Sequence, residues 1–227
     1  MFLETLKRFI PEPLILATRP LRRYFEAQRR FDRRLGVETS EALEVDNLDA
    51  SAEVRRHASG YEATSPAAFR AIMRILTGLG IPLERYAFLD MGSGKAAVLL
   101  YALHYPFRRI LGVELSARLH SIAQRNLEAA RRLNPRLASR PVENVCMNVV
   151  AYPIPAEPLL CFLYNPFKGD TLDRVVDNVR RSLAEHPRGL LIVYYHSLSR
   201  HEAWDKAGFL RTVLRSDDLT IYRPTVG

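Results

Sequence analysis

The sequence predicts an α/β fold: a doubly wound, mostly parallel sheet of seven strands with an antiparallel last strand, preceded by a helical N-terminal extension. Short apolar runs alternate with amphipathic segments from residue 65 to residue 195, and this alternation requires crossover connections between parallel strands. Only Arg215-Ser216-Asp217-Asp218 separates the last two apolar runs, and such a turn-like tetrapeptide makes the final strand antiparallel. A chain of 227 residues, 48% of them hydrophobic, can bury the core that one such domain needs.

The expected elements follow from capping and periodicity signals. Ser65-Pro66 suits the start of a helix, and Gly78 and Gly80 suit its end. The apolar positions of this helix are Phe69, Ile72, Met73 and Leu76. Strands are expected at Ala87–Leu89, Ile110–Val113, 142–149, Leu159–Tyr164, Leu190–Tyr195, Phe209–Leu214 and Leu219–Tyr222. Helices are expected between them at residues 95–104, 116–132 and Leu172–Leu183.

Residues 1–60 are predicted to form a basic helical extension and linker, and residues 61–227 a Rossmann-like domain. Helices are expected over Phe2–Ile10 and from Pro20 to Leu35. Residues 1–35 carry nine basic and four acidic side chains, a net charge of +5 out of +8 for the chain. This surface suits nucleic acid, an anionic membrane or an acidic partner, whereas packing of its aromatic stripe on the protein's own domain is the commoner arrangement.

Several other classes of protein are disfavoured. No apolar stretch reaches the roughly 18 residues of a membrane span, and the first residues lack the features of a secretory signal. Cys146 and Cys161 are the only cysteines; they form no CxxC pair, which argues against a zinc site and indicates a reducing cytoplasm. The six histidines have no partner at i, i+4, so no metal site is expected.

The strongest candidate site is the glycine-rich turn Asp90-Met91-Gly92-Ser93-Gly94, between an expected strand and an expected helix. Glycines allow a tight turn and let a ligand approach the backbone, and the helix start offers N–H groups without partners. Glu114 ends the next expected strand twenty residues after Gly94, where a carboxylate accepts hydrogen bonds from ribose hydroxyls. Together these features predict a site for a nucleoside cofactor.

Two cofactors fit the turn. Gly92 to Ala97 matches the GxGxxA pattern of dinucleotide sites, which leaves an NAD(P)-dependent oxidoreductase open. Asp90 favours S-adenosylmethionine instead, because a carboxylate repels a pyrophosphate and attracts a sulfonium or ammonium group. Lys95 contacts a cofactor carboxylate in one interpretation, and is a solvated side chain of the first helical turn in the commoner one.

Over residues 61–223 the sequence resembles the class I S-adenosylmethionine-dependent methyltransferases. Asp90–Gly94 is similar to the first motif of that family, and Gly112–Ser116 to its ribose-binding motif. Tyr164-Asn165-Pro166-Phe167 is similar to the Asn-Pro-Pro-aromatic motif of members that methylate nitrogen. Tyr61–Pro66 resembles the segment that folds over the methionine part of the cofactor.

The sequence departs from the family pattern at three points. Ala96 stands where a third glycine is usual, and the fourth-strand motif has one proline, Pro166, instead of two. Asn148 stands where an aspartate often contacts adenine. The amide carbonyl of an asparagine can accept the same hydrogen bond from the adenine amino group.

The resemblance implies a role for each motif residue. The residues implied to bind S-adenosylmethionine are Tyr61, Thr64, Asp90, Gly92, Ser93, Gly94, Glu114 and Asn148. The residues implied to be catalytic are Asn165, Pro166 and Phe167. A neutral amine needs alignment rather than a strong base, so Asn165 would accept a hydrogen bond from the target N–H while Phe167 stacks on the acceptor.

The expected function is therefore methyl transfer from S-adenosylmethionine to nitrogen. The acceptor is a protein lysine, a nucleic-acid base or a small amine. The alternatives are the oxidoreductase and a non-catalytic module that binds the cofactor and interacts through residues 1–35.

Overall fold

The computed structural model describes residues 19–44, 60–195 and 202–225; the helix expected at Phe2–Ile10 lies outside them. The strands are β1 (Ala87–Met91), β2 (Ile110–Glu114), β3 (Val142–Cys146), β4 (Leu159–Tyr164), β5 (Leu190–Tyr195), β6 (Leu210–Arg215) and β7 (Leu219–Pro224). The α-helices of the described residues are α1 (Arg19–Leu35), α2 (Pro66–Gly78), α3 (Ala97–Ala102), α4 (Ala117–Leu133), α5 (Pro135–Ala138), α6 (Asp170–Glu185) and α7 (Glu202–Lys206). Short 3-10 turns occur at Leu83–Arg85 and Val149–Ala151.

The seven strands form one sheet in the order β3-β2-β1-β4-β5-β7-β6. β1 to β5 run parallel to one another, whereas β7 lies antiparallel between β5 and β6. The connection from β6 to β7 is too short for a crossover and closes as a tight turn, in which the Ser216 N–H donates to the Leu219 carbonyl at 2.8 Å. The predicted doubly wound, mostly parallel sheet with an antiparallel last strand is confirmed.

The sheet separates two apolar layers, because successive residues of a strand point to opposite faces. Phe88 packs with Phe69 and Phe162 on the side of α2 and α3, while its neighbour Leu89 packs on the side of α6. Every residue of β1 and β2 is buried. Central parallel strands covered on both faces therefore appear in the sequence as continuous apolar runs.

Two element boundaries differ from the expectation for local reasons. β3 ends at Cys146 because Asn148 caps the turn that follows, its side-chain oxygen accepting from the Val150 N–H at 3.0 Å. α3 begins at Ala97 rather than at residue 95 because Ala96 has a left-handed backbone, with φ +68°.

Local sequence signals predict α2 but not α7. α2 begins as predicted, since the Ser65 side chain accepts from the Ala68 N–H at 3.0 Å. α7 was not predicted from the sequence. It is held by tertiary burial, because Trp204 is fully buried and packs near Tyr222.

Part of the N-terminal region packs on α3, which covers one face of the sheet. Phe31 of α1 meets Tyr101 of α3 edge-on, with ring centroids 4.7 Å apart. The exposed side of this part of α1 carries Arg29, Arg30, Arg33 and Arg34. The boundary at residue 60 between an extension and a domain stays a prediction.

β1 occupies the switch point of the sheet, because it lies between β2 and β4. In open α/β sheets, ligands bind outside the carboxyl ends of the strands at such a point. The turn after β1 and the ends of β2 and β4 therefore meet at one edge, where the candidate site lies.

Candidate cofactor-binding site

The turn after β1 requires glycine at two positions. Gly92 and Gly94 have φ values of +97° and +53°, a region that glycine enters without steric cost. A Cβ on Gly92 would lie 2.5 Å from the Pro166 side chain, and a Cβ on Gly94 would overlap the ring of Tyr61. Tyr61 and Pro166, which are distant in sequence, thus both lie directly against the turn.

Glu114 joins the end of β2 to the same turn. One carboxylate oxygen accepts from the Gly94 N–H at 2.8 Å, and the other accepts from the Ser116 N–H at 2.8 Å. These bonds fix the orientation of the carboxylate. Because each carboxylate oxygen has two acceptor positions, Glu114 can also receive the hydroxyls of a ribose.

Asp90 is a buried carboxyl, with 3% of its surface exposed. Burial raises the pKa of Asp90 well above its usual range, and the nearby negative charge of Glu114 raises it further. Desolvation and like charge both oppose ionisation. A cationic ligand group beside Asp90 would relieve this cost, whereas a pyrophosphate would increase it.

Thr64 brings a buried hydroxyl to the crevice. The side chain is 2% exposed, and its Oγ1 makes no hydrogen bond within the described part of the chain. Buried polar atoms are nearly always hydrogen-bonded in native proteins. An unsatisfied hydroxyl that lines a crevice therefore indicates a polar ligand group.

The remaining predicted cofactor residues hold their positions through side-chain bonds. The Ser93 hydroxyl donates to the Asn144 side-chain oxygen at 2.7 Å, which ties the turn to β3. Asn148 is exposed, and its side-chain oxygen accepts from the Val150 N–H. That oxygen keeps one acceptor position, so the role of Asn148 toward adenine stays a prediction.

The Tyr164-Asn165-Pro166-Phe167 segment follows β4 at the same edge. Pro166 and Phe167 line the crevice, whereas Asn165 is not among the lining residues. Asn165 has a left-handed backbone, with φ +44°; asparagine tolerates this conformation better than most residues. The catalytic role predicted for Asn165 stays a prediction.

The crevice thus gathers most of the predicted site. The predicted residues that line it are Tyr61, Thr64, Asp90, Gly92, Ser93, Gly94, Glu114, Asn148, Pro166 and Phe167. Glu62 and Tyr164 are among the lining residues that sequence reasoning left out of the site. Both are adjacent in the sequence to predicted site residues, and this adjacency is the signal that could have identified them.

Lys95 differs from its commoner interpretation. It is 2% exposed rather than solvated, and its ammonium group lies 2.6 Å from a carboxylate oxygen of Glu38. No signal in the sequence pairs residues that are 57 positions apart.

Two kinds of feature are absent from the residues that the structure covers. Residues 19–44, 60–195 and 202–225 contain no group of three acidic, histidine or cysteine side chains that could hold a metal ion. Within the same ranges, no helix has the length and apolar character needed to cross a bilayer.

Comparisons with known proteins address the fold. No family model and no curated protein matches the sequence. The structure is similar to human methyltransferase 10 domain containing protein, with a TM-score of 0.53, 12% identity and coverage of 88% of this chain and 94% of that one. It is also similar to precorrin-6y C5,15-methyltransferase from Geobacter metallireducens, with a TM-score of 0.51, 16% identity and coverage of 79% and 95%.

A third similar structure is the rRNA methyltransferase aviRa from Streptomyces viridochromogenes, with a TM-score of 0.50, 14% identity and coverage of 78% and 88%. These similarities extend over nearly the whole of each neighbour. The chain has the fold of the class I methyltransferases.

Proposed function

We propose that this protein is an S-adenosylmethionine-dependent methyltransferase that acts on nitrogen. The observation that carries the proposal is the position of Asp90 and Glu114 on one crevice at the switch point of the sheet, beside the same glycine turn. If the two carboxylates lay on opposite sides of the sheet, they could not serve one ligand.

The residues of the crevice suit each part of this cofactor. Glu114 would accept the ribose hydroxyls, and the glycine turn would admit the nucleoside close to the backbone. Asp90 would face the cationic end of the molecule. The Thr64 hydroxyl would donate to the carboxylate of its methionine part, which would satisfy a buried group that has no partner in the part of the chain that the structure describes.

The same features disfavour the NAD(P)-dependent oxidoreductase. A pyrophosphate near Asp90 and Glu114 would add negative charge to a site where burial and mutual repulsion already oppose ionisation. Calorimetric titration distinguishes the two functions. We expect binding of S-adenosylmethionine and S-adenosylhomocysteine and none of NADH; binding of NADH alone would overturn the proposal.

Aromatic rings and carboxylates lie together at the carboxyl ends of β4 and β5, where Tyr164 lines the crevice. Tyr164 and Tyr195 stack with centroids 5.3 Å apart and an interplanar angle of 27°. Leu219 of β7 pairs with Tyr195, so Asp218 reaches the same edge. The pKa of Tyr195 is raised by burial first and then by the negative charges of Asp218 and Glu62.

This surface supports a cationic amine as the acceptor, and we propose the lysine side chain of a protein. Tyrosine faces and carboxylates attract an ammonium group, whereas the phosphates of a nucleic acid would be repelled. S-adenosylmethionine supplies a methyl carbon that its sulfonium makes electrophilic. The ammonium group would first give a proton to water. The lone pair of the resulting neutral amine would form the new C–N bond, and the electrons of the breaking C–S bond would go to sulfur. Phe167 and the segment around Asn165 would align the attacking nitrogen.

Labelling identifies the acceptor class. The protein would be incubated with methyl-labelled S-adenosylmethionine and a cell extract, and protein, nucleic acid and small molecules would be separated. We expect label in protein, released as methyl-lysine on acid hydrolysis. Label in RNA or in metabolites only would exclude the lysine acceptor while leaving methyl transfer intact.

A pair of variants tests the carboxylate of Asp218, which lies near Tyr195. Asp218→Asn should lower kcat/KM for the labelled acceptor about tenfold, the effect of losing one favourable charge interaction, with little change in cofactor affinity. Asp217→Asn removes a neighbouring exposed carboxylate and serves as the matched control. Equal effects of the two variants would show that only the general charge of the surface matters.

The proposal also places the protein in the cytoplasm. Cys146 is exposed and Cys161 is buried, and neither is in a disulfide. An exposed thiol persists most readily in a reducing compartment. The predicted contact of residues 1–35 with an acidic partner or a membrane stays a separate expectation, with which the exposed arginines of α1 are compatible.

A further inference from the structure

The segment after α1 is folded against that helix by a buried carboxylate. We call residues 36–44 the strap. Asp32 of α1 accepts three hydrogen bonds from it: from the Thr39 N–H at 2.9 Å, from the Thr39 hydroxyl at 2.6 Å and from the Ser40 N–H at 2.8 Å. Three bonds to one charged acceptor specify a single conformation for the start of the strap.

α1 is in turn anchored to the sheet domain. Gln28 is buried and its amide nitrogen donates to the Thr39 hydroxyl at 2.7 Å. The side-chain oxygen of Gln28 accepts from the Tyr101 hydroxyl of α3 at 2.9 Å. The strap is thus connected through one glutamine to the helix that begins after the glycine turn.

The strap also reaches the glycine turn directly. The Lys95 ammonium group and the Glu38 carboxylate form an ion pair at 2.6 Å. Asn126 of α4 bridges the backbones of both residues. Its amide nitrogen donates to the Glu38 carbonyl at 3.0 Å and to the Lys95 carbonyl at 2.9 Å, and its oxygen accepts from the Glu38 N–H at 2.9 Å.

A second connection runs through Tyr61. Its hydroxyl donates to the Thr39 carbonyl at 2.8 Å, and its backbone pairs with Leu43 of the strap. The Tyr61 ring lies directly against Gly94, and the Lys95 ammonium group lies 5.6 Å from the ring centroid. The strap therefore holds both the residue after Gly94 and the ring that lies against it.

We propose that Glu38 and Lys95 are positioning residues for the glycine turn, and that the strap belongs to the cofactor-binding machinery rather than to a separate tail. The order of the strap and the occupancy of the crevice are then coupled, and such coupling is reciprocal. The part of this proposal that concerns S-adenosylmethionine rests on the proposed function, whereas the part that concerns the turn does not.

Hydrogen exchange of the ligand-free protein tests the turn itself. Glu38→Gln removes the charge but keeps the shape, so Lys95 loses its ionic partner while buried. We expect amide exchange in residues 92–97 to rise at least about fivefold, the lower range of typical coupling effects. Glu41→Gln, an exposed change in the same strap, is the control and should leave exchange unchanged. Unchanged exchange in Glu38→Gln would overturn the proposal whatever the cofactor is.

Cofactor affinity provides the second measurement. Glu38→Gln should weaken binding of S-adenosylmethionine about tenfold while kcat at saturation stays within about twofold, since coupling of this size acts on affinity. In wild-type protein, the cofactor should slow exchange in the strap. A fall in melting temperature with unchanged affinity would reveal a merely structural role and contradict the proposal. Absence of cofactor binding by the wild type would instead refute the proposed function.

A double-mutant cycle separates the ion pair from its surroundings. Lys95→Met should weaken cofactor binding at least as much as Glu38→Gln does. If the two residues act through each other, the double variant should be no weaker than Lys95→Met alone. Additive effects would show that they act independently and would overturn the pairing.

Discussion

Asp90 is the residue whose ionisation responds most directly to a cation in the crevice. Its pKa is raised in the ligand-free protein by burial and by Glu114, and a cationic ligand would lower it again. Binding should therefore release a proton, and affinity for S-adenosylmethionine should increase as the pH rises through the raised pKa of Asp90. Calorimetry in buffers of different ionisation enthalpy measures this proton release.

The stability of the folded protein depends on pH in the opposite direction to the affinity, since it falls as the pH rises. An acid whose pKa is higher in the folded state stabilises folding below its unfolded pKa, and that contribution is lost as pH rises through the folded pKa. Asp90→Asn should remove both dependences and weaken binding of S-adenosylmethionine about tenfold, one pKa unit of interaction. A variant with unaltered pH dependence would exclude Asp90 as the ligand's counter-charge.

Thr64 offers a test with opposite effects on stability and on binding. Thr64→Val keeps the shape of the side chain and removes a buried hydroxyl that has no partner among the described residues. The ligand-free protein should gain about 1 kcal/mol in the free energy of unfolding, and affinity for the cofactor should fall several-fold. Urea unfolding and titration measure the two quantities. Loss of stability would mean that the hydroxyl is satisfied within the protein.

Asn165 combines a backbone role with a predicted catalytic role, and two substitutions separate them. Asn165→Gly retains the left-handed conformation, φ +44°, and removes only the side chain. If that side chain aligns the acceptor, kcat should fall roughly 10²-fold at unchanged cofactor affinity. Asn165→Asp, which keeps an acceptor oxygen, should retain more activity. Full activity of the glycine variant would reduce Asn165 to a turn residue.

Among the elements, α1 and the strap form a unit that depends on one carboxylate. Asp32→Ala should leave two backbone N–H groups and one hydroxyl of the strap without their acceptor. We expect the free energy of opening the strap to fall by about 2 kcal/mol. Amide exchange should therefore become faster in residues 36–44 than elsewhere. Asp32→Asn, which keeps one acceptor oxygen, should have a smaller effect. A uniform increase over the whole protein would show that the strap does not open separately.

Elements with strong local signals were predicted well. The Ser65 cap and the periodic apolar face determine α2 within a few residues, and the short turn before Leu219 determines the direction of β7. Elements without such signals were missed or shifted. α7 depends on the burial of Trp204, and α3 begins late because Ala96 takes a conformation that alanine rarely adopts.

At the scale of the whole molecule, the charge distribution separates two surfaces. The exposed arginines of α1 are basic, whereas Glu62 and Asp218 add negative charge at the edge of the sheet near Tyr195. The net charge of +8 therefore does not describe the local charge at the edge of the sheet near Tyr195. An acceptor meets the local charges first, because ionic screening limits interactions in solution to about 8 to 10 Å.

The order of strands and helices, the glycine turn and the acidic residue that ends β2 could be predicted from the sequence, because each depends on neighbours within a few residues. Only the tertiary structure showed the link from Asp32 through Glu38 to Lys95 and the placement of Tyr61 against Gly94. Those contacts join residues as far apart as 57 positions, and their energy arises from burial that exists only after the sheet and helices have packed. The chain alone predicted a site for a nucleoside cofactor, and folding decided which residues surround and support the crevice.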